Sequence, residues 1–275
     1  MIVQKTEMVV VLGMLLGWGG AGCSSEEPVD PSCDGANLFG TPSENTGLTD
    51  SQCMPSCMCG GELWEAPSYT EEQIVAMESL TLVDGPATLA SDPYAAEETA
   101  SPDDTKFCGV LIDAADPTKY RLVSYESEAA AADAGAHITH RSACGQCSSL
   151  ENLAVYMRYP DLTDPVRMCG VTGMTQGEEA NIECLMEIGF DLPCAQIWYF
   201  NTNNTRALCL DPCLAALNLP NHTEDATLNE CLQCDEEHSG PVFKAVSGRT
   251  RRNSGLPSAL CRPCDSVYQL AHSYQ

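Results

Sequence analysis

Seventeen cysteines in 275 residues constrain this chain more than any other feature. Cysteines in such number are stable as disulfides only in an oxidising compartment. At about 2–4 kcal/mol each, a few such bonds rival the about 5–15 kcal/mol that holds a typical domain together. The pairing cannot be deduced from sequence. Three Cys-x-x-Cys motifs stand out, at Cys144/Cys147, Cys231/Cys234 and Cys261/Cys264. None is followed by His, which argues against a covalently attached c-type haem.

The amino terminus supplies the compartment. A weakly positive start carrying Lys5 precedes an apolar run from Met8 to Gly22, MVVVLGMLLGWGGAG, which is shorter than the roughly 20 residues a membrane-spanning helix needs. The run ends Gly20-Ala21-Gly22-Cys23. This resembles the lipobox of bacterial lipoproteins, although that family usually carries an aliphatic residue where Gly20 stands. The resemblance implies a signal peptide over 1–22, diacylation of Cys23 and display at the bacterial cell envelope, at the outer membrane or cell surface rather than the inner membrane. Two acyl chains satisfy the requirement of two signals for stable anchoring. Committing Cys23 to lipid leaves 16 cysteines, a number that disulfides can use completely. The plainer reading is an ordinary signal peptide cut near Ala21.

Charge divides the rest. The net charge is −26, which disfavours nucleic acid as a partner. Between Ser24 and Thr105 there are 17 Asp and Glu and no Lys, Arg or His. Residues 23–52 therefore read as an acidic, partly disordered tether. Residues 53–105 read as a small Cys-containing acidic segment and linker, in which Cys53, Cys57 and Cys59 are expected to form local bridges with Cys33. Residues 106–275 read as a mainly α domain with a small β contribution, stapled by disulfides.

Within these segments, EEQIVAMESL has helical character. Phe107–Ile112 and Tyr120–Tyr125 predict two short strands, and an Ala-rich helix follows from near Ser127 to a stop at Gly135. Ser148 and Glu151 form a Ser-x-x-Glu capping box, with Leu150, Leu153, Ala154 and Met157 as the apolar stripe. Thr175 and Glu178 repeat the box before a helix ending at Gly189. Pro193 is placed to open a longer helix through Leu208. A last helix is expected from Thr223 to His238, ended by Gly240-Pro241.

Four groups of residues carry candidate chemistry. Cys144 and Cys147 lie immediately before the Ser148 box, where a helix amino terminus favours thiolate. The placement resembles the active site of thioredoxin-like proteins, with Cys144 as nucleophile and Cys147 as resolving thiol. The Trp that commonly precedes that motif is replaced by Ala143, and no βαβ pattern surrounds it. His137 and His140, with the same cysteines, offer ligand types suited to zinc or copper, and the Cys- and Met-rich run from Cys53 to Cys59 offers soft ligands for Cu(I). Arg249, Arg251 and Arg252 form a candidate anion cradle; the simpler reading pairs them with internal carboxylates such as Asp235 and Glu236. Finally, Cys209/Cys213 and Cys231/Cys234, at helical spacings of four and three, predict two rungs between antiparallel helices, Cys209 to Cys234 and Cys213 to Cys231.

No Gly-x-Ser-x-Gly, His-Glu-x-x-His, phosphate loop or dinucleotide fingerprint occurs. The expectation is a lipid-anchored binding or structural module, membrane-tethered, with an unknown protein or small-molecule ligand and no required cofactor. A thiol-disulfide oxidoreductase and a zinc or copper protein are the alternatives.

Overall fold

A strand forms where side chains alternate between two environments, and Lys119–Tyr125 does so: Tyr120 is buried while its neighbours Lys119 and Arg121 face outward. In the computed structural model, which describes residues 33, 37–96 and 100–274, this segment (β7) anchors a four-stranded sheet. Its neighbours are Thr81–Leu82 (β5, parallel), Phe107–Ile112 (β6, antiparallel) and, beyond β6, His137–Arg141 (β8, antiparallel to it). The β6–β8 register shifts at Gly109, where a side chain would meet the Tyr125 ring at 2.7 Å. Glu128–Asp133 (α2), capped by Ser127, joins β7 to β8.

The helices follow their caps. Thr70 and Gln73 form a reciprocal capping box at Glu71–Glu78 (α1). Leu150–Arg158 (α3) is capped by Ser149, whose side chain accepts from Asn152 N; Ser148, the expected cap, lies one residue too early and instead bonds His140. Thr175 is not a cap either. It lies in the last turn of Thr163–Gln176 (α4), a helix absent from the expected set. Gly177, at φ 97°, breaks the chain, and Glu178–Ile188 (α5) turns back against α4, with Cys169–Cys184 as the rung between them. Asp191 caps Leu192–Ala215 (α6), which kinks at Cys209, just before Pro212. Glu230–His238 (α7) begins at the Asn229 cap, later than expected, and Gly240-Pro241 opens Gly240–Ser247 (α8) rather than ending a helix. Pro suits that position because the first N–H of a helix has no intrahelical partner.

The main core gathers side chains from the four-stranded sheet and the helices, and a smaller one forms around Phe39, Cys57, Cys264 and Val267. Ile74 and Met77 of α1, Val110 and Tyr120 of the sheet, Leu150 and Leu153 of α3, Leu185 of α5 and Ile197 of α6 share the main one. Helices predominate, but the strand content exceeds the small contribution expected, because residues 38–65 also form strands. Leu38–Phe39 (β1) pairs in parallel with Cys53–Met54 (β2) and antiparallel with Arg262–Pro263 (β9). Ser56–Cys59 (β3) and Glu62–Glu65 (β4) form a hairpin. Of the tether expected over 23–52, residues 37–52 carry β1 and backbone pairing, while Cys23 and residues 24–32 lie outside the described residues.

Among the described residues, eight disulfides hold these parts together. Cys209–Cys234 and Cys213–Cys231 join α6 to α7 as two rungs. Cys33 bonds Cys59 locally, but Cys53 reaches Cys261 and Cys57 reaches Cys264. The expected set of local bridges is corrected accordingly, because β1 and β9 bring the two ends of the chain side by side. Among the described residues no helix is long and apolar enough to cross a membrane.

Candidate functional site

Neither sulfur of the Cys144/Cys147 motif is free to react. Cys144 bonds Cys108 on β6, and Cys147 bonds Cys194 in the first turn of α6. The two side chains point to different elements, one to the sheet and one to the helices, so the motif spreads into two staples rather than closing on itself. The redox dithiol is thereby corrected. The same holds for Cu(I) in the Cys53–Cys59 run, whose three cysteines are all paired.

The histidine pair also separates. His137 and His140 lie three residues apart on β8, and a strand sends such positions to opposite faces. His137 is exposed; His140 is fully buried, with Nδ1 on Arg141 O at 2.8 Å and Nε2 on Ser148 Oγ at 2.7 Å. Burial, with the Arg249 charge nearby, holds its pKa well below the usual value. Among the described residues no group of three His, Cys, Asp or Glu is arranged to hold a metal ion.

The three arginines diverge as well, so no common cradle forms. Arg249 is fully buried and is a structural keystone. Its guanidinium donates to Cys147 O (3.0 Å), Thr139 O (2.9 Å), Thr139 Oγ1 (2.7 Å), Ser148 O (2.9 Å) and Ser254 Oγ (3.3 Å). All of these acceptors are neutral, and burial lowers its pKa to about 10. Arg251 and Arg252 instead reach a cleft.

The cleft is bounded by α4, α6, α7 and α8 and by the segment from Thr250 to Arg262, and encloses about 380 Å³. That lies within the range of about 300–1,000 Å³ typical of small-molecule sites. Its surface is chiefly apolar. Trp198 and Phe243 pack as tilted rings in its wall, 4.6 Å between centroids, and Phe190 packs behind Trp198 at 5.9 Å. Val171, Met174 and Leu210 also line it and remain exposed, Met174 by 60%. The rest of the lining is unusually basic for so acidic a chain: Arg167, Arg206, Lys244, Arg251, Arg252 and Arg262 against Asp161, Asp235 and Glu236.

Each acid is engaged. Glu236 receives Arg262 Nη2 at 2.5 Å, Arg252 Nη2 at 3.1 Å and Lys244 Nζ at 3.7 Å. Burial opposes its ionisation, but these three cations outweigh it and hold the carboxyl at about 2. Asp235 accepts from Thr205 Oγ1 and from Asn201 Nδ2 (3.3 Å), and burial raises its pKa. Asp161 accepts from Ser43 Oγ (2.8 Å) and Thr163 N (3.0 Å).

Arg251 is different. Its guanidinium lies 5.2 Å from the centre of the Tyr156 ring and donates to the carbonyls of Tyr156 (2.6 Å), Pro257 (3.5 Å) and Tyr159. The Tyr156 hydroxyl and the Trp198 indole N–H are both buried, and the indole N–H lies toward the Tyr156 oxygen. Burial raises the Tyr156 pKa to about 12, with Arg251 and the nearby Trp198 opposing the rise. The arrangement suits recognition: an apolar cavity with guanidinium groups in its lining.

Sequence reasoning placed Arg251 and Arg252 at a site but missed the cavity beside them. The overlooked signal is Pro165 beside Asp164 in the first turn of α4, where a Pro removes no intrahelical hydrogen bond.

Residues 178–270 match the model of a family of unknown function (DUF8771), which is about a third of the chain. No curated protein and no solved structure matches. The matched stretch contains α5 to α8 and the segment that carries Arg251, Arg252 and Arg262.

Proposed function

We propose that this protein is a disulfide-stapled binding module of the bacterial cell envelope, tethered by lipid at Cys23, whose cleft takes up a small, largely apolar molecule. The carrying observation is the cleft itself: about 380 Å³, walled by Trp198 and Phe243 and rimmed by exposed Val171, Met174 and Leu210. Exposed large apolar side chains lose free energy to water, about 25 cal/mol per Å² of apolar area. Clustered around a cavity, they gain it back when a ligand covers them. The eight disulfides belong to an oxidising, extracytoplasmic setting. They also supply rigidity, which lowers the cost of keeping a cavity open.

A neutral fluorescent probe such as Nile red tests the cleft. Saturable binding at one site, weakened by Val171→Asp and by Leu210→Asp in the rim, is the expected result; binding unaffected by either change sinks the reading. The anchor is tested separately by labelling cells with radioactive palmitate. Label lost on Cys23→Ala supports lipidation, and label unchanged or absent in the wild type refutes it.

A further inference from the structure

Large apolar side chains that stay in water cluster on one surface of the molecule. On α4, Met168, Val171 and Met174 recur every three residues and are exposed, Met168 by 62%. Near the end of α6, Leu210 and Leu214 stand one turn apart, and Leu217 follows in the turn beyond it. All three are exposed, Leu214 by 56%. Val171, Met174 and Leu210 line the same cleft, which makes the two stripes one patch. Such a patch marks a surface that another apolar phase covers.

Charge and chain length narrow what that phase is. The chain carries −26, yet α4 holds only Asp164 and Arg167, paired with each other at 2.8 Å, and residues 207–220 hold only Asp211. A second copy would bring two strongly anionic chains together, which their mutual repulsion opposes. A neutral lipid surface raises no such opposition, and a face nearly without carboxylates is the one an acidic chain can lay on it. Ten residues separate Cys23 from Cys33, and that length of chain reaches at most about 35 Å. Cys33 bonds Cys59 and packs against the small core that contains Phe39. Phe39 lines the cleft, and Asn45 donates to Asp164 at the start of α4 at 3.0 Å. The chain therefore enters the fold at the edge of the cleft that the patch borders.

We propose that the face formed by Met168, Val171, Met174, Leu210, Leu214 and Leu217 lies on the bilayer to which Cys23 is anchored, with these side chains at the boundary of headgroups and acyl chains. This rests on the lipid anchor proposed above and adds the orientation of the folded part. Anchor and face act on the same membrane, so the second contact is intramolecular and needs little affinity of its own. The cleft then opens toward the lipid, and a poorly soluble ligand passes between bilayer and cavity without crossing water.

Methionine oxidation reads the contact without altering the chain. The mature, acylated protein is floated with phosphatidylcholine vesicles and treated with chloramine-T, and the rate at each methionine is followed by mass spectrometry. Met186, exposed on α5 between Glu183 and Glu187, is the internal reference. Although Met168 and Met174 are the more exposed in the fold itself, on vesicles they are expected to react several-fold more slowly than Met186. Combining Leu214→Asp with Leu217→Asp, at exposed positions outside the core, is expected to restore their rates while the protein stays with the vesicles. Met168 and Met174 reacting as fast as Met186, or a double variant with unchanged protection, overturns the membrane face and leaves the anchor standing. Protection that fades as the protein is diluted in the lipid identifies a second copy as the cover and overturns it as well. Protein that does not float with the vesicles removes the anchor, and this inference with it.

Discussion

Cys57 and Cys264, 207 residues apart in the chain, share a disulfide beside a second one, Cys53–Cys261, that spans 208 residues. The two bonds hold β2 and β3 near one end of the folded chain against the loop around β9 near the other. In the loop-entropy model each bond alone constrains a loop worth about 5 kcal/mol, but the second closes a ring of only about nine residues, worth about 2.5 kcal/mol. Replacing both Cys57 and Cys264 by Ser is thus expected to cost about 2–3 kcal/mol. Removing both disulfides is expected to cost about twice what the loss of either one does or more, and chemical denaturation of the three variants measures the difference. Equal losses for the single and double removals would contradict the model of two clamps on one seam.

Arg249 offers a different kind of test, because its partners are neutral. Lysine keeps the charge but has three donors on a flexible stem instead of a planar fork. Arg249→Lys leaves some of the acceptors Thr139 O, Cys147 O, Ser148 O and Ser254 Oγ unmatched. At about 1–3 kcal/mol for each unsatisfied buried group, the loss is expected to reach about 3 kcal/mol or more, read as a lower unfolding midpoint. A lysine variant as stable as the wild type would mean that charge, and not the fork, is what this position requires.

What the sequence discloses and what it hides follow from how local each feature is. The α6–α7 rungs are legible because residues 209 and 213, and 231 and 234, fall on helical faces, and periodicity alone sets which sulfurs meet. Cys53 and Cys261 carry no such relation; only the pairing of β1 with β9 brings them together, and two-residue strands leave no pattern. Arg249 reads as part of an anion cradle or as the partner of an internal carboxylate, because the groups that bury it are mostly main-chain carbonyls, whose positions no residue type records. The cleft was hidden by one misplaced boundary. With Thr175 taken as a cap, α4 vanished, and with it the wall formed by Val171 and Met174.

Glu236 carries the electrostatics of the cleft's basic wall. Its folded pKa of about 2 lies below the ordinary 4.5, so its stabilisation is fully present above about pH 4.5 and is lost as the pH falls toward 2. Glu236→Gln leaves Arg252, Arg262 and Lys244 without the carboxylate they share. Breaking a buried pair costs about 3–5 kcal/mol; with 28% of this side chain exposed the low end is expected. The variant should also lose less stability than the wild type between pH 4.5 and 3. Parallel acid denaturation curves would assign the three cations to other partners.

Histidine governs the milder range. His272 is buried, with Nε2 donating to Ser254 O and Nδ1 on the Tyr274 hydroxyl, each at 2.8 Å. Burial, with the Arg249 charge second, lowers its pKa to about 3. The unfolded chain therefore takes up a proton near pH 6.5 that the folded chain refuses, and stability that is complete above 6.5 declines as the pH falls toward 3. One such group contributes up to about 1.4 kcal/mol per pH unit. His140 and His222, whose pKa values are also lowered chiefly by burial, add slopes of the same sign. His272→Gln, which keeps a donor and an acceptor but cannot titrate, should lower stability at pH 7 and flatten the decline between pH 6.5 and 4.5, above the window in which Glu236 loses its stabilisation. Urea unfolding at half-unit pH intervals separates the two proteins. Identical slopes would mean that His272 is protonated in the fold, beside Arg249, and that the polar network around Tyr274 tolerates a second charge.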